Sequence, residues 1–175
     1  KESLPKGWQL LEKMMSHMQM IQSSSSGRLF DTVASLLGLG HVHLYDAHLA
    51  IELEQLALSE KGTILDMKLD GSVLDTMSLV RSVIEQLENG ESVAKISADF
   101  HRTLIYYIGQ MAKRCCEERH ISHIVLCGGV FQNRILLEGV MQELGEYTVH
   151  VPTQSSMNDG GIALGQLWIG SHRNR

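Results

Sequence analysis

One stretch constrains the fold of this chain more than any other: residues His123–Asn133, which read H-I-V-L-C-G-G-V-F-Q-N. Ile124, Val125 and Leu126 form a short apolar run of the kind found in strands that are buried on both faces. Two glycines follow at once, and beyond them apolar residues recur with helical spacing. The pattern therefore predicts a strand, a tight glycine turn and a helix in direct succession.

Such a unit is able to bring bare backbone up to a ligand. Because glycine has no Cβ, Gly128 and Gly129 let a phosphate approach the backbone N–H groups. The helix N-terminus adds partial positive charge and free N–H donors, and Asn133 near its first turn could donate to a phosphate or a ribose. The spacing is also compatible with a turn that binds nothing, so it leaves both interpretations open.

A second glycine turn follows the next predicted strand, Tyr147–Val151. It reads Asn158-Asp159-Gly160-Gly161 and opens a closing helix, Gly161–Ile169. Parallel strands would place both glycine turns at one edge of the sheet, where open α/β sheets bind ligands. Asp159 either binds a metal or a phosphate-bound cation there, or it caps the closing helix.

Helical periodicity dominates the rest of the chain. A leading helix over 1–22 has a wide apolar face, for which core packing is favoured over a docking surface. Ser25 or Ser26 is expected to cap a second helix, Ser92 a long one, and Asp70-Gly71 predicts a hairpin. The further helices are predicted over Tyr45–Leu58, Thr76–Leu87 and Val93–Arg119. We expect a single subdomain over 1–175 with a frayed tail over 171–175.

Composition limits the classes of partner. At 175 residues, 43% hydrophobic and 20% charged, the chain has the make-up of one soluble globular domain or part of a larger one. Its formal net charge is −5 and it has no block of lysines or arginines. Nucleic acid and acidic membranes are therefore not expected as partners, because neutralising phosphates requires clustered cations.

Compartment and metal binding can be judged from the cysteines, the histidines and the start of the chain. Three cysteines without a C-x-x-C pair predict neither a disulfide framework nor a thiolate zinc site. His41 and His43 lack a third ligand at a recognisable spacing, so a metal site there is the weaker interpretation. No apolar run approaches the roughly 20 residues that span a bilayer. We expect a cytoplasmic protein, and we interpret the start, K-E-S-L-P-K-G-W, as an internal point of a longer chain.

Three ordered stretches together resemble one family. They are S-S-G-R-L-F-D-T-V-A (Ser25–Ala34), C-G-G-V-F-Q-N-R-I-L-L-E (Cys127–Glu138) and N-D-G-G-I-A-L-G-Q (Asn158–Gln166). They are similar to the last part of the largest catalytic domain of HypF, the hydrogenase-maturation carbamoyltransferases. The linking segments Tyr45–Ala57 and Ala98–Leu104 agree with it, so the resemblance covers nearly the whole chain after the leading helix.

The resemblance implies a fold and a reaction. The fold is α/β: half of an actin-like ATPase (ribonuclease H-like) two-lobed domain, helix-rich with a small mixed or parallel sheet. The reaction uses carbamoyl phosphate and ATP to form a carbamoyl-adenylate. The carbamoyl group then passes to the C-terminal cysteine of a HypE-like partner for synthesis of the cyanide ligands of NiFe hydrogenases.

The resemblance also implies site residues. Gly128, Gly129 and Asn133 match the loop that contacts phosphate and nucleotide. Glu52 matches a ribose-binding acid of related transferases, and Arg28 lies in the G-R-L-F-D motif with a role towards a ligand or an interface.

Asp159 matches a ligand of a divalent metal, which is iron, zinc or magnesium. The other metal ligands belong to the first half of that domain, outside this chain, and the matched motifs identify no catalytic residue. The chain by itself is therefore expected not to turn over, and without the missing half it could pair with itself.

The chain departs from the family pattern at three places. Tyr45-Asp46-Ala47 replaces Tyr-Glu-Gly, and Ser155-Ser156-Met157 replaces a proline-rich lead into the second glycine turn. Cys127 stands where serine is common; a buried structural thiol is favoured over a reactive one.

Two other classes of function remain as alternatives. A relative of the tRNA threonylcarbamoyltransferases is disfavoured, because G-R-L-F-D and G-G-V-F-Q-N differ from that family's equivalents and the chain has no basic face. A non-catalytic nucleotide-binding or protein-interaction domain of the same fold, with purely structural glycine turns, is the other.

Overall fold

The computed structural model describes residues 8–17, 23–71 and 73–173. Helices form most of this part of the chain, together with four short strands and two 3-10 turns at Gly129–Gln132 and Asp159–Gly161. The helices are α1 (Trp8–His17), α2 (Ser26–Leu36), α3 (His48–Ala57), α4 (Thr76–Glu88), α5 (Val93–Arg119), α6 (Arg134–Glu143) and α7 (Ile162–His172). The strands are β1 (Leu69–Asp70), β2 (Val73–Leu74), β3 (His123–Val125) and β4 (Thr148–His150).

Short polar side chains fix where several helices begin. The Ser25 hydroxyl accepts a hydrogen bond from the N–H of Arg28 at the start of α2, and Ser92 accepts one from Lys95 at the start of α5. These caps satisfy N–H groups that have no partner within the helix. The predicted caps of α2 and α5 are therefore confirmed.

The core lies around the 27-residue helix α5, which packs against α3, α4 and α6. Phe30 of α2 meets Phe100 of α5 edge to face, with ring centroids 5.0 Å apart. Such aromatic pairs stabilise a core beyond the area that they bury. The fully buried apolar residues that surround them include Val33, Leu53, Leu79, Val83, Ile96, Leu136 and Val140.

An extended segment after α3 is held by side chains of α5. Alternate N–H groups of this segment donate to side-chain oxygens that stand four residues apart on the helix, and therefore on one helical face. The pairs are Thr63 N with Asp99 Oδ1, Leu65 N with Thr103 Oγ1, and Met67 N with the Tyr107 hydroxyl. This part of the backbone thus obtains its hydrogen bonds from a helix instead of from a neighbouring strand.

The strands form two small sheets. β1 and β2 pair antiparallel around Asp70 and Gly71, which confirms the predicted hairpin, and β3 pairs with β4 in parallel, with Ile124 opposite Val149. Ile124 and Val149 pack on the core, whereas Val125 is 64% exposed. The prediction of a strand buried on both faces is therefore wrong, because one face of this two-stranded sheet lies uncovered in the described part of the chain.

Two helices differ from their predicted form. α3 begins at His48 instead of Tyr45, because Ala47 has a left-handed backbone conformation with φ 58° and interrupts the helical path. α1 lies within the predicted leading helix, but none of its residues is buried, so the expected core packing of its apolar face is not found for residues 8–17. Residues 1–7 and 18–22 lie outside the described residues.

The closing helix α7 begins at Ile162, one residue after the predicted start at Gly161, and continues beyond the predicted end at Ile169 to His172. None of its residues is buried, and Leu167 and Trp168 are among its exposed apolar side chains. Residues 174 and 175 of the predicted tail lie outside the described residues. No helix in the described ranges is both long and apolar enough to cross a membrane.

Candidate functional site

The two glycine turns meet at one edge of the β3–β4 sheet. The N–H of Leu126 donates to the carbonyl of His150 over 2.9 Å, which extends the parallel pairing beyond the strands. One step further along, the N–H of Gly128 donates to the carbonyl of Met157 over 2.8 Å. The predicted arrangement of both turns at one sheet edge is thus present in the structure.

A groove of about 990 Å³ lies in front of these turns. Its walls come from the start of α2, the segment before α3, one face of α3 and the two turns. Five of the six residues that the sequence singled out line it: Arg28, Gly128, Gly129, Asn133 and Asp159. The sixth, Glu52, does not.

The first glycine turn presents unpaired backbone donors to the groove. Gly128 has φ 111° and ψ 151°, a conformation that is almost restricted to glycine. Within the described chain, the N–H groups of Gly129 and Val130 make no hydrogen bond, and both residues line the groove. Adjacent free N–H groups in such a turn form a concave site for an anion.

The N-terminus of α6 offers no such donors. The Asn133 side-chain oxygen accepts from the N–H of Leu136 over 2.8 Å. The Glu54 carboxylate, reaching across from α3, accepts from Arg134 N over 2.6 Å and from Ile135 N over 3.3 Å. The expectation of free helix donors is therefore wrong: side chains of the chain itself occupy them, and the anion donors lie in the turn.

The Asn133 side chain contacts a buried histidine of α5, which itself does not line the groove. Its amide nitrogen lies 2.9 Å from Nε2 of His101, whose Nδ1 lies 2.8 Å from the carbonyl oxygen of Ser97. Burial lowers the pKa of His101, and the hydrogen bond to Ser97 only partly opposes this effect. The imidazole is therefore kept neutral at physiological pH.

A carboxylate of α2, Asp31, also lines the groove. Asp31 Oδ1 lies 3.5 Å from His43 Nε2, and Asp31 Oδ2 lies 3.1 Å from Arg28 Nη2. The contact with Arg28 has ion-pair distance but not hydrogen-bond geometry, so the buried Oδ2 has no hydrogen-bond partner among the described residues. Asp31 thus lines the groove with a mostly buried carboxylate, in ion-pair contact with the exposed cation of Arg28.

The predicted ribose acid lies elsewhere. Glu52 pairs with His48 over 3.1 Å, and its side chain is 44% exposed outside the groove. Glu54, two residues further along α3, lines the groove instead. Residues two apart on a helix point about 200° away from each other, so only the packing of α3 shows which glutamate faces the turns.

The predicted metal site has no support from the described residues. Asp159 lies at the groove with an exposed carboxylate, and a single carboxylate provides only one or two of the six or more oxygens that a hard divalent cation takes. The described residues contain no group of three histidine, cysteine or acidic side chains able to hold a metal. His41 and His43 bond instead to Ser35 and Asp31, respectively.

Cys127 is exposed and lines the groove beside Gly128. The expectation of a buried structural thiol is therefore wrong. The residue lies two positions after the end of the short strand β3, at the sheet edge beside the glycine turn.

The helical layer around α5, the short parallel sheet and the paired glycine turns define half of an actin-like ATPase domain. Residues 1–166 match the family described as "Carbamoyltransferase, Kae1-like Domain, second subdomain". The chain belongs to this family, as the resemblance of the three motifs predicted.

Solved and curated relatives agree with this membership. A crystal structure of full-length HypF in the phosphate- and nucleotide-bound form superposes with a TM-score of 0.88 at 32% identity, over 94% of this chain and 23% of that one. Carbamoyltransferase HypF of Rhizobium leguminosarum bv. viciae is 33% identical over 161 residues, which is 90% of this chain and 21% of the relative. Carbamoyltransferase HypF of Rhodobacter capsulatus is 32% identical over 84% of this chain and 19% of the relative. The chain thus spans about a fifth of the length of these curated relatives.

Proposed function

We propose that the groove binds the phosphate and nucleoside parts of a carbamoyl-adenylate in a HypF-type carbamoyltransferase. The observation that carries this proposal is the pair of free N–H groups of Gly129 and Val130 in the groove wall. Gly129 is exposed and Val130 is half-buried, so both N–H groups are open to the groove, where an anionic group of a ligand can accept from them. The similarity to a HypF structure with phosphate and nucleotide bound supports the same assignment.

Each side chain around the groove then has a proposed role. The N–H groups of Gly129 and Val130 bind the phosphate. Asn133 uses one amide N–H for His101 and has a second one for the ligand. Asp31 accepts from ribose hydroxyl groups, the role that the sequence assigned to Glu52, and Arg28 neutralises negative charge at the entrance.

In the proposed reaction, carbamoyl phosphate, ATP and one water molecule give a carbamoyl-adenylate, inorganic phosphate and pyrophosphate. The carbamoyl group then passes to the C-terminal cysteine of a HypE-like partner, as in cyanide-ligand synthesis for NiFe hydrogenases. The chain's own part in these reaction steps is to hold the adenylate. Its fixed backbone donors stabilise the phosphate charge and do not have to reorganise during the reaction.

Asp159 is proposed as one ligand of a divalent metal whose other ligands come from outside this chain. Such a metal would polarise an oxygen of the bound donor. Because this chain alone provides an incomplete ligand set, we expect the isolated chain to bind nucleotide without turning it over. The segment that completes the site is proposed to be the first half of the same domain.

Calorimetric titration of AMP and of ATP into the chain tests the proposal, beside Gly129→Val and Gly170→Val. A Cβ at Gly129 would stand in ordinary contact, 3.7 Å from Asn158, so the turn has room for a side chain there. We expect the valine methyl groups to hinder the approach of an anion to the donors. Gly170 has open space around it and lies outside the groove, which makes it the matched control. Binding lost only in Gly129→Val supports the proposal; equal binding by all three proteins, or none by the wild type, contradicts it.

A further inference from the structure

We propose that His101 is a positioning residue of the groove: it accepts a hydrogen bond from the Asn133 amide and thereby orients that amide towards the ligand. The orientation of Asn133 is a property of the free chain. The consequence for a ligand rests on the function proposed above. His101 itself lies behind Asn133 and has no place in the groove wall.

The His101 ring is fixed by packing. It is 1% exposed, and it meets Phe30 and Phe100 edge to face at centroid distances of 5.4 and 5.6 Å. A ring enclosed in this way cannot swing to another rotamer without opening a cavity in the core. The two ring nitrogens therefore keep their partners.

Those partners determine the tautomer. The carbonyl oxygen of Ser97 only accepts, so the Nδ1 of His101 that faces it carries the proton. In a neutral ring Nε2 is then an acceptor. The group that faces Nε2, on Asn133, must consequently be the amide nitrogen and not the amide oxygen.

The same hydrogen bonds determine how the amide of Asn133 is turned. With its nitrogen on His101, its oxygen lies 2.8 Å from the N–H of Leu136 and caps α6. The reverse orientation would set oxygen against the lone pair of Nε2 and set NH₂ against the N–H of Leu136. Both contacts would be repulsive, so His101 selects one orientation.

This orientation serves the groove in two ways. Through the cap, Asn133 connects the first turn of α6 to the end of the glycine turn. This connection fixes the position of the turn and therefore of the free N–H groups of Gly129 and Val130. The second N–H of the Asn133 amide takes no part in the cap, and Asn133 lines the groove, so this donor is available to a ligand there. A histidine 32 residues away in sequence thus sets both features.

Two variants separate positioning from simple packing. His101→Phe keeps an aromatic ring of similar size among Phe30 and Phe100 and removes the acceptor. His101→Gln keeps an acceptor oxygen near the position of Nε2. If only size mattered, phenylalanine would be the better replacement; if the hydrogen bond matters, glutamine is the better one.

The first measurement uses NMR of the full chain without ligand. We expect His101→Phe to shift the side-chain NH₂ signals of Asn133 and to increase hydrogen exchange at the N–H of Leu136. We expect His101→Gln to resemble the wild type in both signals. Unchanged Asn133 signals and unchanged Leu136 protection in His101→Phe would overturn the proposal.

The second measurement is AMP affinity of the same proteins, with Asn133→Asp as the background for a double-mutant cycle. Aspartate keeps an oxygen for the cap and has no N–H for His101. We expect His101→Phe to weaken AMP binding about tenfold in the wild-type background, the ratio that one lost hydrogen bond produces, and not to weaken it further beside Asn133→Asp.

Equal AMP affinity of His101→Phe and the wild type, despite shifted Asn133 signals, would overturn the role towards the ligand. Absence of AMP binding by the wild type would refute the proposed function and leave the NMR result to decide the positioning role.

Discussion

The backbone N–H of Gly128 donates to the carbonyl oxygen of Met157 over 2.8 Å, and this single bond joins the two glycine turns. Gly128 can make it because its φ of 111° turns the chain sharply after β3. The free donors of the first turn and Asp159 of the second turn line the same groove. The groove therefore depends on backbone geometry at the sheet edge as much as on side chains.

The first prediction separates the two adjacent glycines. Gly128→Ala should destabilise the chain by about 1–3 kcal/mol, because its backbone conformation is strained for any residue with a Cβ. Gly129→Ala should change stability by less than about 0.5 kcal/mol, because its added Cβ meets only ordinary contacts. Urea denaturation of both variants and the wild type measures the difference. Equal losses of stability would show that the turn does not have this geometry in solution.

The second prediction concerns Ala47, which stands where related sequences are expected to have glycine. Its φ of 58° costs a residue with a Cβ about 1–2 kcal/mol, so Ala47→Gly should stabilise the chain by about 1 kcal/mol after the greater flexibility of unfolded glycine is subtracted. Thermal unfolding provides the measurement. Ala50→Gly, within α3, is the control and should destabilise by about 1 kcal/mol; a loss of stability in both variants would argue against the left-handed conformation.

The third prediction concerns the pH dependence of stability through Asp99. Burial alone would raise the pKa of Asp99, but hydrogen bonds from Lys95, Thr63 and Gln86 outweigh it and hold the pKa below its ordinary value of 3.8. Because the unfolded chain binds this proton at higher pH than the folded chain does, the stabilisation is complete above about pH 4 and is lost as the pH falls through the folded pKa.

Asp99→Asn should accordingly destabilise the chain by about 3 kcal/mol at pH 7, because it breaks a buried charge pair with Lys95. The difference from the wild type should narrow at pH 3. Urea denaturation at both values tests this, with Glu91→Gln on the exposed loop before α5 as the control. A difference that is the same at both pH values would contradict the lowered pKa.

The fourth prediction concerns thiol accessibility. Cys127 is exposed at the groove, whereas Cys116 is 3% exposed within α5. A maleimide reagent should therefore label Cys127 first, and Cys127→Ser should remove this rapid phase, as mass spectrometry of timed samples would show. Saturating AMP should slow the labelling if the groove is the nucleotide site; rapid labelling that persists in Cys127→Ser would contradict the placement.

Local sequence by itself determined most of the elements and several of their ends. Ser92 capping α5, the hairpin at Asp70 and the two glycine turns depend on hydrogen bonds and backbone preferences within a few residues, so they are visible in the pattern. The three motifs likewise sufficed for the family, because each combines several specific residues in a fixed order. The caps, the hairpin and the glycine turns thus depend on interactions between residues that are close in sequence.

Tertiary packing alone decided the rest. Whether Glu52 or Glu54 reaches the turns depends on how α3 is rotated against α6, and the link between Asn133 and His101 depends on the meeting of α5 and α6. The exposure of Val125 and Cys127 depends on how much of a two-stranded sheet is covered. Such features result from side chains far apart in the sequence that come together only when the helices pack, and no short-range preference encodes them.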